Sequence, residues 1–75
     1  MQMKQKALEI IAQISGRDAA SLAPEHDLVG DLGIDSPRAL QLIVELEEQL
    51  DVEIRDEDAA RMDTVGDILA YLARR

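Results

Sequence analysis

Few side chains in this sequence have both the type and the setting for chemistry, and Ser36 is the foremost of them. It follows a loop interrupted by Gly30 and Gly33, and it precedes Pro37 at the start of an apolar segment with helical periodicity. A helix N-terminus carries unpaired N–H groups and partial positive charge, which favour a phosphate or phosphodiester. Ser36 is therefore suited to bear a phosphate-linked group. A plain N-cap role stays open on these residues alone, since serine is a preferred N-cap.

The other candidates for chemistry are weaker. His26 lies between Glu25 and Asp27 and is interpreted as a solvated loop histidine. The absence of cysteine removes thiolate nucleophiles, disulfides and thiolate metal ligands, and the acids of residues 56–67 lack the spacing of an EF-hand loop. We expect no metal site, and we expect no enzymatic activity because 75 residues offer little concave pocket.

The charge balance limits the kinds of partner that this chain is expected to bind. The chain carries 16 acids against 8 lysines and arginines, net −8, and residues 25–67 alone hold 14 acids and 3 arginines, net −11. Nucleic acids and anionic membranes require basic faces, so we expect neither as a partner and favour proteins with basic surfaces. The longest run of hydrophobic-class residues, 68–73, has six residues. We therefore expect no membrane insertion and no signal peptide. We also expect a cytoplasmic location and a monomer.

The apolar spacing is helical along most of the chain. Residues 2–15 place Met3, Ala7, Ile10, Ile11 and Ile14 on one face before Gly16, which predicts a first helix. Residues 17–35 carry no sustained period. They nevertheless contain Leu22, Leu28, Val29, Leu32 and Ile34, so we expect an ordered loop packed on the core.

The second helix is predicted to start at Ser36 and Pro37, with Ser36 as the N-cap. Its core face holds Ala39, Leu42, Ile43, Leu46 and Leu50. Leu40 and Val44 form a narrower apolar stripe to the side, with Pro37 at its end and Glu47 and Glu48 on its flanks. An exposed apolar stripe rimmed by charge is typical of a docking surface.

Two further helices follow. Residues 56–61 have acids at the start and Arg61 at the end, which favours one short helix. Thr64 and Asp67 resemble a capping box before a last helix with Val65, Ile68, Leu69 and Leu72 on one face and Arg74 and Arg75 at its end. The sequence therefore predicts an all-α fold, a small antiparallel four-helix bundle of three main helices and one short one, with a long ordered first loop.

Two segments together resemble a known family. Residues 30–36, GDLGIDS, and 40–48, LQLIVELEE, resemble the attachment motif and second helix of acyl carrier proteins. The resemblance continues in order through residues 50–54, 56–58, 64–67 and 71–72, so it covers nearly the whole chain. An Asp-Ser pair alone would be a weak signal, whereas the full series at these spacings is specific. It implies a single acyl carrier domain over residues 1–75.

The resemblance implies a function and a cofactor. A phosphopantetheinyl transferase would move 4′-phosphopantetheine from coenzyme A onto Ser36, beside Asp35. Acyl intermediates would be held as thioesters on the thiol of this group. The carrier would deliver them to acyl-transferring or chain-elongating enzymes of fatty-acid or polyketide synthesis. The lack of cysteine would leave that thiol without a competing acceptor in the chain.

The resemblance also assigns roles along the helices. The partner-docking residues would be Pro37, Arg38, Leu40, Gln41, Val44, Glu47, Glu48 and Asp56. Because acyl chains can fold back between the helices in this family, some core residues would also line an acyl cavity. These core and cavity candidates are Leu42, Ile43, Leu46, Leu50, Ile54, Ile68 and Leu72.

The sequence departs from the family pattern around the serine. Pro37 stands where leucine is common, Arg38 where an acid is common, Gln41 where glutamate is common and Glu45 where a small residue is usual. Family phenylalanines are replaced by Leu28, Val29 and Leu50. Arg38 places a positive charge in the first helical turn, against the helix dipole, with Asp35 or the phosphate of the arm as its partner. We interpret these changes as marks of a specialised carrier.

One alternative of a different class stays open. An unmodified helical adaptor that uses the Leu40 and Val44 stripe and an acidic rim would have the same composition and helices. It differs from a carrier only in that Ser36 would never be modified.

Overall fold

Helices account for all the regular secondary structure in the part of the chain that the structure describes, residues 2–74. In this computed structural model, α1 spans Gln2–Ser15, a short 3₁₀ helix spans Ala19–Ser21, and α2 spans Ser36–Leu50. The short α3 covers Asp56–Ala59, and α4 covers Val65–Ala73. This confirms the predicted all-α, four-helix fold with a long first loop. Arg75 lies outside the described residues.

One hydrophobic core joins these helices, and α1 packs against both α2 and α4. The core takes Ala7, Ile10 and Ile11 from α1, Leu42 and Leu46 from α2, and Val65, Ile68 and Leu72 from α4. The helical spacing therefore identified the faces that build the core. Met3 is the exception on the predicted α1 face, since it is 37% exposed.

The first loop is ordered because it contributes to that core and bonds to the chain near α4. Leu28, Leu32 and Ile34 are buried, and the N–H of Leu28 donates to the Asp63 carbonyl at 2.8 Å. The expectation of a packed loop is confirmed, but it was wrong for Val29, which is 67% exposed. Consecutive apolar residues cannot all face inward where the chain turns, and residues 28–31 form a turn.

The helix ends follow local chemistry. Gly16 ends α1 with φ +75°, a left-handed conformation that glycine adopts without steric cost. Asp51 takes the same region, φ 55°, after α2, and its N–H donates to the Glu47 carbonyl. The short helix ends at Ala59 rather than at Arg61, because residues 60–61 form a turn.

The start of α4 has the predicted capping box. The N–H of Asp67 donates to Thr64 Oγ1 at 3.1 Å, and the Asp67 carboxylate accepts from the N–H groups of Thr64 and Asp63 at 3.1 and 2.9 Å. The hydrogen bond from the Asp63 N–H is the main cause that holds the pKa of Asp67 below its ordinary value, and the one from Thr64 adds to it. No helix within residues 2–74 is long and apolar enough to cross a membrane.

Candidate functional site

The N-cap of α2 is Asp35, not Ser36, and this corrects the sequence prediction. Asp35 has an extended backbone, φ −81° and ψ 179°, and its Oδ1 accepts from the N–H of Arg38 at 3.1 Å. Ser36 is the first helical residue and Pro37 the second. A carboxylate at this end also gains from the helix dipole, which a serine hydroxyl does not. Capping is therefore done by the residue before the serine.

This arrangement leaves the side chain of Ser36 without a structural role. The hydroxyls of Ser15, Ser21 and Tyr71 each donate to a backbone carbonyl, at 3.3, 2.7 and 3.1 Å. Thr64 accepts from a backbone N–H. Among residues 2–74, the Ser36 hydroxyl and the Ser36 N–H make no hydrogen bond, and the residue is exposed. Ser36 therefore presents a free nucleophilic oxygen at a helix mouth.

The loop before Ser36 is held by a compact set of hydrogen bonds. The N–H of Asp27 donates to Asp31 Oδ2, and the N–H of Gly30 donates to Asp27 Oδ2, both at 2.7 Å. A side chain at position 30 would crowd this bond, because a Cβ added to Gly30 would lie 2.9 Å from the same Asp27 oxygen. Arg17 Nη2 donates to the Asp31 carbonyl at 2.8 Å and ties the loop to the end of α1. These bonds fix the approach of the chain to Ser36.

An apolar groove of about 470 Å³ lies beside the first half of α2. Ala39, Leu42 and Ile43 of α2 form one wall, and Leu28 and Ile34 of the loop form another. Ala59, Ala60 and Met62 close the side near α3, and Leu40 and Asp56 are among the remaining lining residues. The groove therefore opens within about one helical turn of Ser36.

The predicted cavity residues divide between this groove and the core. Leu42, Ile43 and Ile68 line the groove. Leu46, Ile54 and Leu72 are buried, and Leu50 is half-buried against the core, outside the lining of the groove. Sequence reasoning missed Met62 and Ala59, because only the packing of α3 beside α2 brings them to the groove. Their apolar type was the one available signal.

Most of the predicted docking residues are exposed. Leu40 is 68% and Val44 41% exposed, and Pro37, Arg38, Gln41, Glu48 and Asp56 are also exposed. Glu47 differs, because it is half-buried and its Oε2 accepts from the N–H of Ile54 at 2.9 Å. Its carboxylate holds the connection between α2 and α3, which sequence spacing could not reveal.

Among the weaker candidates for chemistry, His26 has a structural role in the first loop. His26 is half-buried, its Nδ1 accepts from the N–H of Ala23 at 3.0 Å, and its carbonyl accepts from the N–H of Val65 at 3.0 Å. It is thus a loop-bracing residue rather than the solvated histidine that the sequence indicated. No group of three or more histidine and acidic side chains in residues 2–74 has the arrangement of a metal site.

Comparison with known proteins places this geometry in a family. Residues 5–72 match the family profile described as "Phosphopantetheine attachment site". An acyl carrier protein from Syntrophobacter fumaroxidans is 47% identical over 72 residues, covering 96% of this chain and 89% of that one. One from Desulforapulum autotrophicum is 40% identical over 76 residues, covering 100% of this chain and 99% of that one.

Solved structures agree with the sequence relatives. An acyl carrier protein from Enterococcus faecalis superimposes with a TM-score of 0.82 at 30% identity, covering 97% of this chain and 92% of that one. A structure from Mycobacterium tuberculosis assigned to an acyl carrier protein superimposes with a TM-score of 0.88 at 36% identity, covering 96% of each chain. Family membership favours a carrier over the unmodified adaptor. The chain therefore belongs to the acyl carrier protein family, and it is a phosphopantetheine-dependent carrier of acyl intermediates for biosynthesis rather than an enzyme.

Proposed function

We propose that Ser36 is the residue that carries 4′-phosphopantetheine. The observation that carries the proposal is the exposed Ser36 hydroxyl, which makes no hydrogen bond among residues 2–74 while the chain's other hydroxyls all do. The unbonded Ser36 N–H at the helix mouth suits a phosphodiester oxygen. The residues present therefore fit the group.

The attachment step needs little from this chain beyond presentation of the hydroxyl. The Ser36 oxygen bonds to the phosphorus next to the pantetheine unit of coenzyme A as the pyrophosphate bond breaks. Adenosine 3′,5′-bisphosphate leaves, and the hydroxyl proton passes to a base of the transferase. Asp35 caps the first turn of α2 and so holds the backbone that carries the Ser36 hydroxyl. When bound, the group supplies the thiol that holds the acyl chain.

The apolar groove is the proposed binding site for an acyl chain. Its volume of about 470 Å³ and its walls of Leu42, Ile43 and Ile68 suit a short aliphatic chain. Met62 and Leu40 add flexible apolar side chains that can adapt to cargo. Leu46, Leu50, Ile54 and Leu72 have a packing role in this proposal.

The docking stripe, defined as Pro37, Leu40, Val44, Glu48 and Asp56, is the proposed contact surface for the transferase and for acyl-transferring or chain-elongating enzymes. Its exposed apolar residues are bordered by acids, which complement basic partner surfaces and speed encounter. Charge reversal of Glu47 would affect both docking and the fold, because it would remove the hydrogen bond from the N–H of Ile54. Charge reversal of Glu48 is therefore the cleaner test of docking.

The proposal extends to pathway and setting. We assign the carrier to fatty-acid or polyketide synthesis, as a specialised member, on the basis of Pro37, Arg38 and Gln41 at the start of α2. Residues 1–75 act as one carrier domain, in the cytoplasm and as a monomer, and sedimentation of the purified chain tests the oligomeric state.

Intact-mass spectrometry tests the attachment. The purified chain is incubated with coenzyme A and a broad-specificity phosphopantetheinyl transferase. Wild type and the matched control Ser21→Ala should each gain one phosphopantetheine, and Ser36→Ala should gain none. A wild-type chain that gains no mass, or a Ser36→Ala chain that gains as much as wild type, would contradict the proposal.

A further inference from the structure

A second surface of α2 differs from the docking stripe in its chemistry. Positions 38, 41, 45 and 49 are spaced by three, four and four residues, so they share a helix face. With the end of α1 they line a cleft of about 540 Å³. We call it the α1–α2 cleft, and its polar lining residues are Gln13, Ser15, Arg38, Gln41, Glu45 and Gln49.

The charge of this cleft departs from that of its surroundings. Residues 25–67 carry net −11, whereas the charged residues of the cleft lining are Arg38 and Glu45, which sum to zero. Glu45 is half-buried and accepts from Gln49 Nε2 at 2.7 Å. Arg38 is exposed, so its charge is the more accessible of the two in the cleft.

The guanidinium of Arg38 is not needed for the fold. The hydrogen bond of this residue to Asp35 runs through the backbone N–H at 3.1 Å, and the side chain is exposed. Around it, the amides of Gln13 and Gln41 can both donate and accept. A cation set among amides suits a carboxylate flanked by polar groups, and it opposes a lysine or arginine.

We infer that the α1–α2 cleft is a selectivity surface that admits partner proteins presenting a carboxylate to Arg38 and disfavours partners with a basic residue there. The inference rests on the proposed function, because Arg38 lies two residues after Ser36 and an enzyme that reaches the serine meets it. The docking stripe attracts basic surfaces, while the cleft sets which of them can approach closely.

Charge reversal at Arg38 tests the inference. The probe is the same phosphopantetheinyl transferase, in a form whose docking surface is basic. Arg38→Glu should raise kcat/KM for arm transfer by about tenfold at low salt, mainly through KM, because a like-charge contact becomes attractive. The gain should fade at high salt. Lys6→Glu, an exposed α1 site with the same charge change, should alter kcat/KM much less.

A second experiment reverses the charge of the transferase docking surface. With transferase docking lysines and arginines replaced by glutamate, wild type should be the better substrate and Arg38→Glu the poorer one. An unchanged or lower kcat/KM for Arg38→Glu with the basic enzyme, an equal gain for Lys6→Glu, or an unreversed order with the acidic enzyme would overturn the inference while attachment at Ser36 stands. Loss of all mass gain in wild type would instead overturn attachment, and the inference with it.

Discussion

The starts of α2 and α4 differ in how much of their hydrogen-bonding capacity the fold uses. At α4, the N–H groups of Val65 and Gly66 donate to loop carbonyls at 3.0 and 2.8 Å, and Thr64 and Asp67 bond reciprocally. At α2, Asp35 accepts from Arg38 and the polar groups of Ser36 stay unused among residues 2–74.

Among residues 2–74, the start of α2 has polar groups available for chemistry, and the start of α4 does not. The closed start of α4 braces the first loop, because its partners Pro24 and His26 lie in that loop. By contrast, the Ser36 side chain at the start of α2 makes no hydrogen bond among residues 2–74. Mutations at the two starts should therefore separate structural roles from functional ones.

Leu46→Ala should give the largest loss of stability and sets the scale for the comparison. Leu46 is fully buried, so its truncation should cost about 2–5 kcal/mol in the free energy of unfolding. Denaturant titration measures this loss. A negligible shift of the midpoint would mean that α2 presents a different face to the core.

Removal of either cap should cost less and by similar amounts. Asp35→Ala and Thr64→Ala each delete an N-cap side-chain acceptor, at about 0.5–2 kcal/mol. The same titration compares them. If Asp35→Ala had no effect while Ser36→Ala destabilised the protein, Ser36 would be the true cap.

Acidification should weaken the start of α4 through Asp67. Its pKa is lowered by hydrogen bonds from Asp63 and Thr64, so its contribution is present above the unfolded pKa of about 3.9. That contribution is lost as pH falls through the folded pKa. Asp67→Asn should therefore be less stable than wild type at pH 7, and the gap should narrow on acidification. A gap of constant size down to the lowest pH would contradict this reading.

Ser36→Ala should give the smallest change in stability. The Ser36 side chain makes no hydrogen bond among residues 2–74 and is exposed, so we expect a change within about 0.5 kcal/mol. Thermal unfolding of the unmodified variants provides the measurement. A loss as large as that of Thr64→Ala would erase the contrast between the two helix starts.

The sequence predicted the features that depend on near neighbours. The α1 face, the Gly16 stop and the Thr64–Asp67 box arise from residues within a few positions of each other. The cap of α2 was misassigned because Asp35 and Ser36 can both cap, and proline fits either of the first two helical positions.

The features that the sequence did not predict depend on tertiary packing. The bond between Glu47 and Ile54 spans seven residues across a turn. Met62 reaches the groove only through the placement of the chain after α3. The joining of Arg38, Gln41 and Glu45 with the end of α1 in one cleft likewise depends on how α1 packs on α2.

Fragment-ion mass spectrometry of the loaded chain tests whether the arm is attached to Ser36. Tryptic cleavage after Arg17 and Arg38 leaves Ser21 and Ser36 in one peptide, so the fragmentation must separate these two serines. We predict that the phosphopantetheine mass lies entirely on Ser36 in the loaded wild-type chain. Its presence on Ser15, Ser21 or Thr64 would contradict the account.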